Sequence, residues 1–384
     1  MTAHPHAHSQ KKTASPSAIR HSSSSDAVIA MPAQLAKVIQ AAESVERVAV
    51  DTEADSLHCY REKLCLLQLS IPGHDFVIDP LALSNLDSLA AVLKPREIVL
   101  HGADFDLRLL RRSMNLVPDQ IFDTVIAARM LGQRHFSLAA LVHRYFHVEL
   151  GKGSQKANWA QRPLPKRMLA YAINDTHYLL GLAERMEQEL TIIGRLDWFR
   201  QSCERALEQT ASDRPREPDE VWRISGSGAL RGRAAAVLRE LWHWREKEAE
   251  AVDRPAFHIL HNEELLRAAT GFNAGEKPDY RHFSARRRGT FQAAAERALE
   301  LDETKWPIPR RRFGTRRTAE ANRRLEELRR RRDRAAAGLD LEPAFVAPRA
   351  TLESISLDEK RSSALLVPWQ RELLGLDGAS ASSF

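Results

Sequence analysis

Residues 48–70 read VAVDTEADSLHCYREKLCLLQLS, two apolar runs separated by a polar stretch. Val48 to Val50 lead into Asp51-Thr52-Glu53, so a short strand breaks into acids, and Leu64 to Ser70 reads as a second strand. Residues i and i+2 of a strand point to the same side, so Asp51 and Glu53 converge on one spot. A DxE pair alone is an ordinary solvated strand end. The acids further along the chain decide whether it is more.

Upstream, PAQLAKVIQAAES from Pro32 has helical apolar spacing, and the folded sequence is expected to start there. Downstream, HDFVIDP is a third strand, joined closely enough to the first two to form an antiparallel meander. LSNLDSLAAVL then reads as a helix, EIVLHG as a strand, ADFDLRLLRRSMN as a helix and DQIFD as a strand. TVIAARMLG and SLAALVHRYF follow as helices. Strands alternating with such helices predict an α/β domain with a mixed central sheet. ELGKGSQKANWAQRP, with Trp159, reads as a surface loop. From Leu164 to about Leu190 the chain is one long amphipathic helix or two abutting ones, with Tyr171 and Asp175 four apart on one face.

Asp106 starts the helix after VLHGADF, where an acid can be aimed back over the sheet edge. Asp104 is the expected cap. Asp51, Glu53, Asp106 and Asp175 would repel one another if gathered without a cation, and their pKa values would rise. A hard divalent ion, Mg2+ or Mn2+, relieves that repulsion. Two such ions about 4 Å apart activate water and stabilise the leaving oxygen of a phosphodiester. In that geometry Asp51 bridges both ions, Glu53 and Asp175 hold the water-side ion, and Asp106 completes the leaving-group side. Tyr171, a poor base at its ordinary pKa, suits the orientation of water.

The 384 residues suggest two or three domains, and an apolar fraction of 43% supports a core in each. A formal charge of +6 is modest support for a polyanionic partner, and the arginines concentrate in residues 304–334. Cys59, Cys65 and Cys203 have neither CxxC spacing nor disulfide-scaffold density, which fits a reducing intracellular, cytoplasmic setting. No run of about 18 apolar residues exists to cross a membrane. Residues 1–30 are expected to be a disordered tail. Past residue 210, ASDRPREPDE reads as a linker and no convincing strand follows, so residues 212–300 and 316–382 read as helical modules. Arg286, Arg287 and Arg288, then Arg310, Arg311 and Arg312, then Arg329 to Arg332, suit a phosphate track, or are solvated faces. Trp242, Trp244 and Trp306 are candidates for base stacking, Trp242 reading better as core.

The residues VAVDTEADSLHCYREKLCLLQLS, HGADFDLRLL and YAINDTHYLL resemble, in order, the three exonuclease motifs of the DEDD superfamily in its tyrosine-bearing subclass, and within it the ribonuclease D family. The resemblance implies an RNase H-like exonuclease fold over residues 31–200. It assigns metal binding to Asp51, Glu53, Asp106 and Asp175, and orientation of water to Tyr171. It further implies release of nucleoside 5'-monophosphates from single-stranded RNA 3' ends, in many members those of tRNA precursors. Asp123, in IFDTVIAARMLG, matches a family position as a supporting residue rather than a ligand. Ser154, Gln155 and Lys156 match a loop that could touch substrate phosphate. LRGRAAAVLRELWHWREKEAEAVDRPAFHILHNEELLRAA resembles an HRDC domain, with Asp253-Arg254-Pro255 followed by a strand-like turn, and residues 316–382 resemble a diverged second copy.

Two alternatives share these residues: a 3'-5' exodeoxyribonuclease, and an inactive nucleic-acid-binding protein. The intact set of acids argues against the second, and nothing in the carboxylates separates ribose from deoxyribose. No obligate protein partner is evident.

Overall fold

A computed structural model describes residues 28–151, 153, 156–211, 218–278, 280–308 and 318–377. The chain opens with strand β1 (Val28–Ile29), helix α1 (Pro32–Glu43), β2 (Arg47–Ala54), β3 (Leu64–Ile71) and β4 (His74–Ile78). Next come α2 (Asp87–Leu93), β5 (Glu97–Leu100), α3 (Asp104–Met114), β6 (Gln120–Asp123), α4 (Thr124–Met130) and α5 (Leu138–Phe146). The long amphipathic stretch divides at Tyr178 into α6 (Lys166–His177) and α7 (Leu179–Ile192), and α8 (Leu196–Ala211) follows.

The sheet runs β1-β4-β3-β2-β5-β6. β2 pairs antiparallel with β3, β3 antiparallel with β4, and β5 lies parallel between β2 and β6, so the sheet is mixed. Every residue of β3 is buried, as a strand covered on both faces must be. Leu66 and Val77 cluster with Met168, Leu169 and Ala172 of α6, whereas Leu67 and Leu69 join the main core with Leu107, Leu110 and Leu182.

Two elements depart from the sequence expectation. The folded chain begins before Pro32, inside the expected tail: Val28 and Ile29 pair parallel with Val77 and Ile78 of β4 and form the sheet edge. A two-residue strand is too short for a period to register in sequence. The α/β domain also does not end at 200, because Phe199 and Cys203 of α8 are buried in its core and the Phe199 ring lies 4.5 Å from that of Phe122.

The remaining described elements are helical: α9 (Gly232–Ala251), α10 (Ala256–Ile259), α11 (Asn262–Asn273) and α12 (Ala285–Leu299) form a first module. α13 (Ala319–Gly338), α14 (Pro343–Val346), α15 (Arg349–Leu357), α16 (Ser362–Leu365) and α17 (Pro368–Leu374) form a second. The segment after Asp253-Arg254-Pro255 is the helical turn α10, not the strand-like turn expected, because the αL conformation of Asp253 (φ 44°) lets the chain re-enter a helix. A shift of 87 residues carries α9, α10 and the start of α11 onto α13, α14 and the start of α15, and Asp253 onto Asp340 (φ 51°). The same shift relates buried Leu238, Leu241, Ala249 and Leu265 to buried Leu325, Leu328, Ala336 and Leu352. Arg245 Nη1 donates to the Leu260 carbonyl at 3.2 Å, and Arg332 Nη1 to that of Ala347 at 3.3 Å, again at equivalent positions.

Each module meets the α/β domain through its αL aspartate. Asp253 accepts from the Tyr60 amide at 3.1 Å and pairs with Lys63, while Arg61 pairs with Glu250 at 2.7 Å. Asp340 pairs with Arg134 at 2.7 Å. The second module adds Trp369, whose ring stacks on Trp198 at 5.4 Å and whose Nε1 donates to Ser202 Oγ at 3.0 Å. Trp369 is fully buried, so Trp369→Ala is expected to cost about 3–5 kcal/mol. It should loosen α13–α17 from α8, read as faster proteolysis of that module and a lower midpoint in urea; an unchanged midpoint would show that this contact does not hold the module.

Candidate active site

β2 reaches the sheet edge with Asp51 and Glu53 on one side and Thr52 on the other, as strand alternation requires. β-bridge partners Gln68 and Leu66 of β3 fix their register, and the pairing shifts only after Glu53, where the chain leaves the sheet. Asp175 approaches from α6, which lies against β2, β3 and β4. Carboxylate oxygens of Asp51, Glu53 and Asp175 lie within 4.8 Å of one another.

Asp106 comes from the first turn of α3 and is itself buried, at 7% exposure. Thr52 Oγ1 donates to Asp106 Oδ1, so the residue between the two strand acids fastens the third from the opposite side of the strand. The start of α3 is held in turn by Asp123. Its carboxylate accepts from the Gly102 amide at 3.0 Å and the Ala103 amide at 2.9 Å, and caps α4 through the amides of Val125 and Ile126. Gly102 adopts φ +81°, a bend that favours glycine. The cap of α3 is therefore not Asp104, which is the first helical residue and pairs with Arg108 instead. The distant carboxylate of Asp123 holds the two amides that precede the helix.

The electrostatics show the cost of this gathering. Burial, with Asp106, Asp175 and Glu53 around it, pushes the Asp51 carboxyl well above the usual range. Glu53 is pushed up to about 9 by burial and by the charges of Asp175 and Asp106, and Asp175 to about 7 by burial and Asp106. Asp106 rises to about 6 through burial, opposed by the hydrogen bonds from Thr52. An all-oxygen set of close, mutually repelling carboxylates fits a hard divalent cation.

Tyr171 lies one helical turn before Asp175. Its ring sits 6.1 Å from that of Trp159 and directly under the backbone of Gly153: a Cβ on Gly153 would fall 1.6 Å from Tyr171 Cε2. Trp159 is thus not part of a solvated loop. It is 1% exposed, among Cys65, Leu66 and Met168. Sequence alone showed polar neighbours around it and not the apolar wall that α6 and β3 build together. Lys156 is exposed, and Ser154 and Gln155 lie outside the described residues.

The arginine clusters do not join the acids in one described constellation. Arg286 and Arg287 start α12 and pair with Glu248 of α9 at 3.4 and 3.2 Å, with no ion pair for Arg288 among the described residues. Arg310, Arg311 and Arg312 lie outside the described residues. Trp244 is core, not a stacking platform: its Nε1 donates to Thr290 Oγ1 and its ring packs edge-on to Phe291 at 4.8 Å. Trp242 is half-buried against the same cluster, and Trp306 Nε1 donates to the Leu301 carbonyl.

Residues 27–191 match the family model described as 3'-5' exonuclease, which spans all four acids and Tyr171. This part of the chain is similar to a 3'-5' exonuclease domain. Residues 234–271 match the HRDC domain, covering α9, α10 and most of α11. Ribonuclease D of Sphingobium indicum is 33% identical over 228 residues, which are 58% of this chain and 58% of that protein. Among solved structures, Escherichia coli RNase D superposes over 92% of this chain and 99% of its own with a TM-score of 0.70 at 22% identity, which speaks to fold. The catalytic core of RRP6 from Trypanosoma brucei gives 0.60 at 27% identity, over 71% and 79%. The exonuclease domain followed by an HRDC domain is thus the arrangement of a ribonuclease D-like fold, and among the described residues no helix is long and apolar enough to cross a membrane.

Two outcomes are expected. The four carboxyls have folded pKa values above their unfolded values near 4, so their stabilising contribution is complete below about pH 4 and is lost as the pH rises through 6 to 9. In chelator the Tm should therefore fall between pH 5 and 9, Mg2+ should recover it most at the alkaline end, and Asp175→Asn should raise the chelated Tm at pH 8. A chelated Tm that is flat over this range would mean the acids are not crowded. Separately, Gly153→Ala should displace Tyr171 and lower kcat by about 10²-fold, as a displacement near 1 Å can, with the melting curve little changed; full activity would place Tyr171 outside the chemistry.

Proposed function

We propose that the protein is a metal-dependent 3'-to-5' exoribonuclease that releases nucleoside 5'-monophosphates from single-stranded 3' ends. The observation that carries this reading is the convergence of Asp51, Glu53 and Asp175, with Asp106 tied beside them through Thr52, in a domain of the exonuclease family. The preference for RNA rests on the relatives, which bear the name ribonuclease D.

Two divalent ions, Mg2+ or Mn2+, would supply an activated water and neutralise charge on the leaving 3' oxygen. Asp51, Glu53 and Asp175 would hold these ions, Asp51 between them and Glu53 and Asp175 on the water side. Asp106, whose Oδ1 accepts from Thr52 Oγ1, would complete the set on the leaving-group side. Tyr171, one turn along α6, would orient the attacking water. Asp123 touches no reacting atom and sets the position of Asp106 through the backbone of Gly102 and Ala103.

The β2–β3 connection begins two residues after Glu53 and carries Tyr60, Arg61 and Lys63 against Asp253 and Glu250, so the HRDC module stands beside the site. Lys156, Ser154 and Gln155 from the loop at Tyr171, and Arg286, Arg287 and Arg288 on α12, are our candidates for contact with substrate phosphate, as are Arg310, Arg311 and Arg312. We read residues 316–382 as a second, diverged HRDC-like domain on the strength of the 87-residue correspondence. The substrate class is RNA with a single-stranded 3' end, tRNA precursors included, in the reducing cytoplasm that three buried free cysteines suit.

A time course on 5'-labelled single-stranded RNA and matched DNA decides the matter. We expect a ladder shortening stepwise from the 3' end of RNA with Mg2+ or Mn2+, abolished by chelator and by Asp175→Asn. A preference for DNA would transfer the same chemistry to an exodeoxyribonuclease, and binding without cleavage would leave a nucleic-acid-binding protein.

A further inference from the structure

Helix α13 carries seven arginines and four acids over 20 residues. Each acid has an arginine: Glu320 holds Arg324 at 3.3 Å, Glu326 holds Arg329 at 3.8 Å, Glu327 holds Arg331 at 2.9 Å and Asp333 holds Arg332 at 2.8 Å. The surplus is Arg323, Arg330 and Arg334. All three are exposed, and none has an ion-pair partner among the described residues. At about 100° per residue, spacings of seven and four return to nearly the same direction, so the three guanidinium groups share one stripe, roughly 16 Å long from the helical rise. The acid between them, Glu327, is already committed to Arg331, and its carboxyl is held low by Arg331, Arg330 and Arg334.

Arg323 occupies the position of Ala236 in the first module, which is fully buried. In the second module α17 reaches α13 at Arg331, whose Nη1 donates to the Leu374 carbonyl. The counterparts of Arg330 and Arg334 are His243 and Lys247, both exposed, so this side of the helix is open in each copy and the second copy adds Arg323 to it.

The helix that carries the stripe docks at the other end of α4 from the residue that supports Asp106: the C-terminal end of α13 meets the α/β domain beyond the end of α4, where the Asp340 carbonyl lies against Gly132, whereas Asp123 caps the start of α4. We propose that Arg323, Arg330 and Arg334 form an anchoring site for the phosphate backbone of the RNA body, gripping substrate away from the 3' end that reacts. This rests on the exoribonuclease reading for the identity of the nucleic acid. Guanidinium groups suit phosphate through paired N–H donors, and three aligned on a rigid helix track a backbone without reading bases. A short oligonucleotide filling only the active site would not reach them.

The test compares the full-length protein with the variant R323A/R330A/R334A and with R323K/R330K/R334K. On an RNA tetranucleotide, kcat and KM should be unchanged in both. On a hairpin RNA with a single-stranded 3' tail, the alanine variant should show a KM raised roughly tenfold with kcat unchanged. Its log-log dependence of affinity on salt should be shallower by about 2, from three lost contacts at about 0.7 each. The lysine variant should keep most of that slope. Equal loss on both substrates, or no change on the hairpin, overturns the anchor. Binding of the hairpin measured in an Asp175→Asn background, with and without the alanine changes, gives the slope without turnover. Failure of wild-type cleavage would thus sink the nuclease reading while the slopes still decide the stripe, and an unchanged slope there sinks the stripe alone. A melting temperature measured for each variant identifies damage to the fold, and hairpin loss that the lysine variant fails to restore also counts against the anchor.

Discussion

Four carboxylates held at one corner of the sheet repel one another, and much of the surrounding architecture works to keep them there. Asp51 and Glu53 cannot turn away because β2 is pinned between β3 and β5. Asp175 cannot retreat because α6 is packed through Met168, Leu169 and Ala172 onto buried Leu66 and Val77. The upward displacement of all four pKa values records the free energy that packing spends against charge, and a divalent cation converts that liability into affinity.

Asp106 needs separate support because it arrives on a helix start rather than a strand. Its side chain is tied to Thr52, and the two residues before Asp104 are tied to Asp123, a carboxylate from another strand that also caps α4. One hydrogen-bonded chain thus runs from α4 through the bend at Gly102 to the acid, and from the acid back to β2. Tyr171 is placed by contact instead, between the Trp159 ring and a glycine with no room for a Cβ.

The helical half reuses one design for different ends. Its two modules share the long first helix, the αL aspartate, the helical turn and the arginine that closes onto the following carbonyl. They differ in the charge of the first helix. In one copy α12 packs against it, and Arg286 and Arg287 are drawn into pairs with Glu248. In the other, arginines outnumber acids along the helix, while Trp369 locks the module to α8.

The sequence alone determined the strand and helix order of the α/β domain and the meander, and it singled out Asp51, Glu53, Asp106, Tyr171 and Asp175 as candidates, because period-2 and period-3.6 patterns and local spacing are written in neighbouring residues. It also showed that the C-terminal half is helical and basic. It did not show β1, too short to carry a period, nor that α8 completes the domain core, nor that Trp159 and Trp244 are buried. Each of those depends on which surface a residue meets from a distant part of the chain. The same holds for the arginines: composition counts them, but only tertiary structure decides which are neutralised by a neighbouring acid and which remain to face a polyanion. Electrostatic pairing acts through space, and a linear chain does not record those distances.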